Sequence, residues 1–295
     1  MVVIQLREAK RVVRWLFCLL ALRPCLHAES RWFIESGGIT WSVERGQAHQ
    51  DHIELSGRKV SLILTYGVRE DGSPVLSRHI VFPGFRTIPN DTHASLSYEF
   101  GQDAEPRIFI DGLPVAKEVV TNVHLRGLIT INSVLGNRSE VALTRAIFPS
   151  IDKPLVIEKF TFSNRSARRI KVELENTQKI VRTNPARGLT GEYDISSRVV
   201  EEQPKEIGAG ESASFTLAFS ARQAQEQPLR VETDLEEQAR RERVEGFLSK
   251  LQLDTPDPVL NTAFAFAKIR TAESIYQTKG GLMHSPGGGA YYAAI

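Results

Sequence analysis

Between Arg31 and about Arg222 the chain is a succession of short apolar–polar alternations separated by turn residues, and this pattern most constrains its fold. Residues 59–68 (KVSLILTYGV) and 74–82 (PVLSRHIVF) are rich in β-branched side chains and flank the turn REDGS. Residues 107–110 (RIFI) run into Asp111-Gly112, a dipeptide suited to the positive φ angles of a tight hairpin. The same alternation recurs in 123–136, 154–164, 169–176 and 210–222. A period of two sends successive side chains to opposite faces, so each segment offers one face to a core and one to water. Many such strands predict a mainly β protein built as a large antiparallel sandwich.

The period changes at Thr233. Thr233 followed by Glu236 has the spacing of a capping box, and Val244, Phe247, Leu248 and Leu251 recur at helical intervals. After the break DTPDP, Asp257 is placed to cap a second helix with Pro258 at its first position. Leu260, Ala263, Phe264 and Ala267 form that helix's apolar stripe, and its end is expected near Gly280-Gly281.

Residues 1–28 stand apart from this organisation. Lys10, Arg11 and Arg14 precede the short apolar run WLFCLLAL, and Leu26-His27-Ala28 offers a small residue at a cleavage position. This is the layout of a cleavable secretory signal peptide, with an uncleaved anchor as its rival. It predicts a secreted or periplasmic bacterial protein. Setting aside the leader's five basic residues and one acid takes the chain from 37 Lys and Arg against 35 Asp and Glu to 32 against 34. The basic balance therefore belongs to the leader, and it gives no support to nucleic-acid binding. Both cysteines, Cys18 and Cys25, also lie there, so the remainder has neither disulfides nor thiolate metal ligands. No later run is long and apolar enough for a transmembrane helix.

Three stretches carry a resemblance: residues 46–68 (GQAHQDHIELSGRKVSLILTYGV), 78–96 (RHIVFPGFRTIPNDTHASL) and 257–295 (DPVLNTAFAFAKIRTAESIYQTKGGLMHSPGGGAYYAAI). In this order they resemble the bacterial six-hairpin glycosidases, the α-L-rhamnosidase-like and glycogen-debranching-like members in particular. The resemblance implies an N-terminal β-supersandwich at residues 29–230, a helical linker at 231–256, and the first helix of a truncated (α/α)6 toroid at 257–295. It further implies the N-terminal portion of a secreted glycoside hydrolase, inactive alone because the catalytic carboxylates belong to later toroid loops. The partner so implied is an oligo- or polysaccharide. An inverting disaccharide phosphorylase shares this order and is one alternative; a non-catalytic carbohydrate-binding β-sandwich protein is the other.

The candidate site residues are scattered. In HQDHIE, His49 and Asp51 point to one side of a strand while His52 and Glu54 point to the other, which argues against one shared metal ion. His49 and Asp51 are therefore read as an orienting pair or as hydroxyl ligands, with a polar pair at a sheet edge as the plainer reading. Arg86 and Asn90, in the Pro-stiffened loop FRTIPNDTH, are suited to clamping hydroxyls. The terminal SPGGGA lacks the Lys and Ser/Thr of a phosphate loop. The resemblance places it at the mouth of a toroid, where His284 would meet a sugar hydroxyl and Tyr291 and Tyr292 would line the pocket. Single carboxylates abound, yet none forms an acid–base pair that sequence alone singles out. No nucleophile elbow, zincin helix or dinucleotide fingerprint occurs, and no metal or cofactor is predicted.

Overall fold

The structure is a computed structural model that describes residues 31–35, 37–44, 46–87, 95–136, 140–188, 191–200, 204–278 and 280–285. It comprises two compact units, Met1–Phe33 and Ile34–Ile295. Only residues 31–33 of the first are described, so the proposed leader lies outside the described residues. The core and the two α-helices found among the described residues belong to the second unit.

The elements run β1 (Trp32–Glu35), β2 (Gly38–Ser42), β3 (His49–Ser56), β4 (Ser61–Val68), β5 (Pro74–Arg86), β6 (Ser95–Phe100), β7 (Ile108–Ile110), β8 (Leu113–Pro114) and β9 (Glu118–Leu125). They continue with β10 (Ile129–Leu135), β11 (Val141–Pro149), β12 (Leu155–Asn164), β13 (Ile170–Leu174), β14 (Gln178–Arg182), β15 (Tyr193–Val199), β16 (Lys205–Ile207) and β17 (Ser212–Gln223). Two helices, α1 (Thr233–Leu248) and α2 (Pro258–Glu273), precede a last hairpin, β18 (Ile275–Thr278) and β19 (Gly281–His284). The fold is mainly β with large antiparallel sheets, as the alternation predicts.

Hairpins make most of the architecture. The large sheet has the order β2-β9-β10-β11-β12-β17-β15-β14, and a four-stranded sheet has the order β3-β4-β5-β6. Asp111 and Gly112 both take positive φ, 53° and 78°, in the turn joining β7 to β8, as the dipeptide foretells. The alternating stretch 123–136 is divided between β9 and β10. The chain reverses at Arg126–Leu128, with Gly127 at φ 69°.

The two sheets face one another across an apolar core. Leu62, Leu64, Ile80, Phe82 and Phe100 on the smaller sheet, and Leu143, Ile147, Phe160, Phe162 and Phe219 on the larger, are each 0% exposed. Phe100 and Phe219 meet across the gap with ring centroids 4.9 Å apart. Within this core lies a charged lattice. Arg78 Nε reaches Glu158 at 2.9 Å and Arg78 Nη2 reaches Glu105 at 2.8 Å, while Arg145 contacts Glu105, Glu118 and Glu158. Burial opposes ionisation of Glu105, yet Arg145 and Arg78 together hold its carboxyl down at about 2. Burial raises Glu158, helped by the charge of Glu105, against the pull of both arginines.

The helices begin where the sequence places them, with three differences. No side chain caps α1: Thr233 Oγ1 bonds Thr216 Oγ1 at 2.7 Å, so the capping-box hydroxyl is used on the sheet. Asp257 does cap α2, accepting from the amides of Val259 at 2.8 Å and Leu260 at 3.3 Å. That helix ends at Glu273 rather than near Gly280, because residues 275–284 pair with themselves as a hairpin. Its expected stripe is only partly covered: Leu260 is 50% exposed, while Ile269 and Glu273 are the buried positions.

Candidate functional site

The helices meet the smaller sheet through a buried polar junction. On α1, Arg240 is 0% exposed; its Nε donates to the carbonyl of Gly127 at 2.8 Å and its Nη1 to that of Ser56 at 2.9 Å. Its Nη2 also contacts Glu273 at the end of α2, and Glu273 Oε2 accepts from the Ser56 amide at 3.0 Å. One guanidinium and one carboxylate thereby tie together two helices, the β9–β10 turn and the end of β3. Burial pushes the Glu273 carboxyl up, against Arg240, the Ser56 amide and Arg270. A second tie joins the helices directly, since Lys268 Nζ donates to the carbonyls of Leu248 at 3.1 Å, Lys250 at 2.6 Å and Leu251 at 2.8 Å.

Beside this junction a cleft of 590 Å³ opens between β3 and α2, lined by His52, Glu54, Gly127, Phe266, Arg270 and Glu273 among others. Its volume suits a small ligand. Glu54 is held by four donors: Ser61 Oγ at 3.0 Å, Tyr276 Oη at 3.3 Å and Ser56 Oγ at 3.4 Å on Oε1, and Arg270 Nη2 at 2.6 Å on Oε2. Burial raises the Tyr276 hydroxyl to about 12, so it remains a donor across the physiological range. The two carboxylates do not make a hydrolytic pair. Glycosidic cleavage requires a proton donor and a base or nucleophile on either side of the anomeric carbon. Here Arg270 neutralises Glu54, and Glu273 is 2% exposed and bound to Arg240. The cleft can orient a ligand through fixed donors and acceptors, and both of its carboxylates are engaged by guanidinium groups.

The predicted site residues fall elsewhere and apart. His49 Nε2 lies 3.9 Å from Asp51 Oδ2, and the His49 ring meets Trp41 edge-on with centroids 5.3 Å apart. Asp51 Oδ1 accepts from the His52 amide at 2.8 Å, and its charge adds to burial in raising the Tyr66 hydroxyl. Arg86 ends β5, and its carbonyl accepts from Tyr193 Oη at 2.9 Å. His49 pairs with Val68 and hence lies level with Pro74, the opposite end of β5 from Arg86. At about 3.3 Å per residue those ends are roughly 40 Å apart along the strand, so His49, Asp51 and Arg86 do not share one pocket. His284 is exposed on β19, paired with Ile275. Asn90, Tyr291 and Tyr292 lie outside the described residues.

Glu54, Arg270, Arg240 and Glu273 are the site residues that sequence reasoning passed over. A signal existed for Arg240: it stands four residues before Val244, on the predicted apolar stripe of α1, where a charge demands a buried partner. No cluster of His, Cys, Asp and Glu suited to a metal ion is present among the described residues, and no described helix is long and apolar enough to cross a membrane.

No protein-family model and no curated protein matches this chain. Among solved structures, one described as a kojibiose phosphorylase from human microbiome is similar at 10% identity and a TM-score of 0.48, over 89% of this chain and 45% of that one. The galactosidase domain of an alpha-galactosidase–sucrose kinase is similar at 9% identity and a TM-score of 0.33, over 57% of this chain and 40% of that one. The chain thus spans less than half the length of either. Likeness at this level carries no assignment of activity.

Proposed function

We propose that the chain is the N-terminal portion of a secreted carbohydrate-active enzyme, most simply a glycoside hydrolase of six-hairpin organisation. In this reading residues 1–28 are a signal peptide, 29–230 a β-sandwich, 231–256 a linker, and 257–295 the opening of the catalytic domain. The observation that carries it is the junction of Arg240 and Glu273, which fixes α2 rigidly to the sandwich from one side. In its first turn α2 presents apolar surface, with Val259 65% and Leu260 50% exposed, as a helix does when further helices are to pack on it. The three resembling sequence stretches support the same order. The two carboxylates that line the cleft are paired with guanidinium groups, and this reading assigns catalysis to the continuation of the catalytic domain.

The 295-residue chain is expected to release no nitrophenol from a panel of aryl glycosides and to phosphorolyse no disaccharide. Turnover of either substrate class by the purified chain defeats the proposal. A second arm appends whatever coding sequence comes after residue 295 in the genome. Gain of glycoside hydrolysis supports the reading; gain of phosphorolysis selects the phosphorylase alternative; a reading frame that stops there refutes it.

A further inference from the structure

The outer face of the large sheet, turned away from the smaller one, is divided in two. One part is apolar: Leu128, Ala146, Phe148, Leu155, Ile157 and Ala218 form a cluster covered by Val200, Leu229 and Val231. The other part, toward β2, is polar without being charged along its central row. Ser42, Asn122, Asn132 and Thr144 lie opposite one another on β2, β9, β10 and β11, and Thr161 and Ser214 continue the row on β12 and β17. A sheet face that need only be wet can use Lys and Glu, whose long side chains keep their charge in water. Short amides and hydroxyls in register make a different surface, one whose hydrogen-bonding groups are fixed in place.

The row is wired in one direction. Thr144 Oγ1 donates to Asn132 Oδ1 at 2.7 Å, and Asn132 Nδ2 donates to Asn122 Oδ1 at 2.8 Å. Each bond polarises the next, and the chain ends on Asn122, whose Nδ2 group donates to no described residue. Two residues further along the same face, His124 Nδ1 shares a 2.9 Å hydrogen bond with Thr40 Oγ1, which fixes the ring plane. Burial lowers the His124 pKa, with Arg126 and Arg241 acting the same way and Glu35 opposing, so the ring is neutral at pH 7. Glu35, Thr40, Ser42, Asn122 and His124 together line a pocket of 490 Å³.

We propose that this pocket on the outer face of β2 and β9 is a binding site for a neutral polyhydroxylated ligand, a glycan lying across the strands. Asn122 Nδ2 supplies donors aligned by the amide chain, while Glu35 and Ser42 supply acceptors, and sugar hydroxyls meet both kinds at once. The single carboxylate disfavours an anion and is too few for a bound divalent cation, which takes six or more oxygen ligands. Successive strands stand about 4.8 Å apart, close to the length of one sugar ring, so neighbouring rings can meet Ser42 on β2 and Asn122 on β9. The site makes no use of the β3–α2 cleft, and its failure leaves the proposed parent activity untouched, since binding and turnover are read separately.

The test is titration of the 295-residue chain with maltohexaose, cellohexaose and xylohexaose, followed by the side-chain amide NMR resonances of Asn122 and Asn132. At least one of the three is expected to move the Asn122 resonances saturably, with Kd at or below about 1 mM. Asn122→Ala and Glu35→Gln should each weaken it about tenfold, the share of one good hydrogen bond. Asn132→Ala should weaken it less, because Asn132 only positions Asn122, and Thr161→Val at the far end should change nothing. Glu35 is exposed, so Glu35→Gln remains decisive if Asn122→Ala impairs folding. Three results overturn the proposal: no saturable binding of any hexaose up to about 10 mM, shifts confined to the β3–α2 cleft, or affinity unchanged in Glu35→Gln.

Discussion

Truncating Glu273 should expose the cost of the junction on which the helices depend. Glu273→Ala removes the acceptor of the Ser56 amide and the counter-charge of Arg240, whose side chain is 1% exposed and keeps only the Gly127 and Ser56 carbonyls. Breaking a buried ion pair from one side costs about 3–5 kcal/mol, because the remaining charge stays desolvated. An orphaned backbone donor places the expected loss toward the upper end, about 4–5 kcal/mol. The Glu273 carboxyl is already pushed up by burial, so a neutral isostere is far milder, and Glu273→Gln should lose only about 1–2 kcal/mol. The sign of the pH dependence comes from the same shift. A raised folded-state pKa gives stability that is full in acid and declines as pH climbs through it, so wild type should lose ground to Glu273→Gln with rising pH. Arg240→Met with Glu273→Leu removes both charges, though it also frees the Ser56 amide and the Gly127 and Ser56 carbonyls, and it should lose clearly less than the two single losses combined. Urea unfolding followed by circular dichroism and Trp fluorescence gives each value. A Glu273→Ala loss below about 1 kcal/mol, or a double variant as unstable as the two single losses combined, refutes the reasoning.

Three further outcomes are expected. Gly127→Ala puts a Cβ 2.3 Å from Val244 Cγ2 at a φ of 69°, so thermal unfolding should show a loss of about 3 kcal/mol, partly recovered by adding Val244→Ala. Asp257→Ala removes the cap of α2 and should cost about 1 kcal/mol in denaturant unfolding, with amide exchange accelerated at Val259 and Leu260. Hydrogen bonds from Arg182, then the charges of Arg182 and Arg222, hold Asp194 below its ordinary 3.8 despite burial. That contribution is present above the unfolded value and lost as pH falls through the depressed one, so Asp194→Asn should flatten the acid limb of a stability–pH profile.

Features settled within a few residues of chain could be read before any tertiary contact was known. Strand alternation, the Asp111-Gly112 hairpin and the Asp257 cap depend on dihedral preferences and bonds between near neighbours, so each was legible without the fold. Thr233 was equally well placed to cap α1, yet its hydroxyl went to Thr216, seventeen residues earlier on a strand that only packing brings close. The end of α2 moved for a related reason, because residues 275–284 found a better partner in each other than in a continued helix. His49, Asp51 and Arg86 are all polar groups of suitable chemistry, but strand register put them at opposite ends of one sheet. Glu54 with Arg270 and Arg240 with Glu273 join residues 216 and 33 positions apart, and only the meeting of helix and sheet faces decides such pairs. Local chemistry fixed the elements; the desolvated contacts between their faces chose which charges are buried and where a ligand can lie.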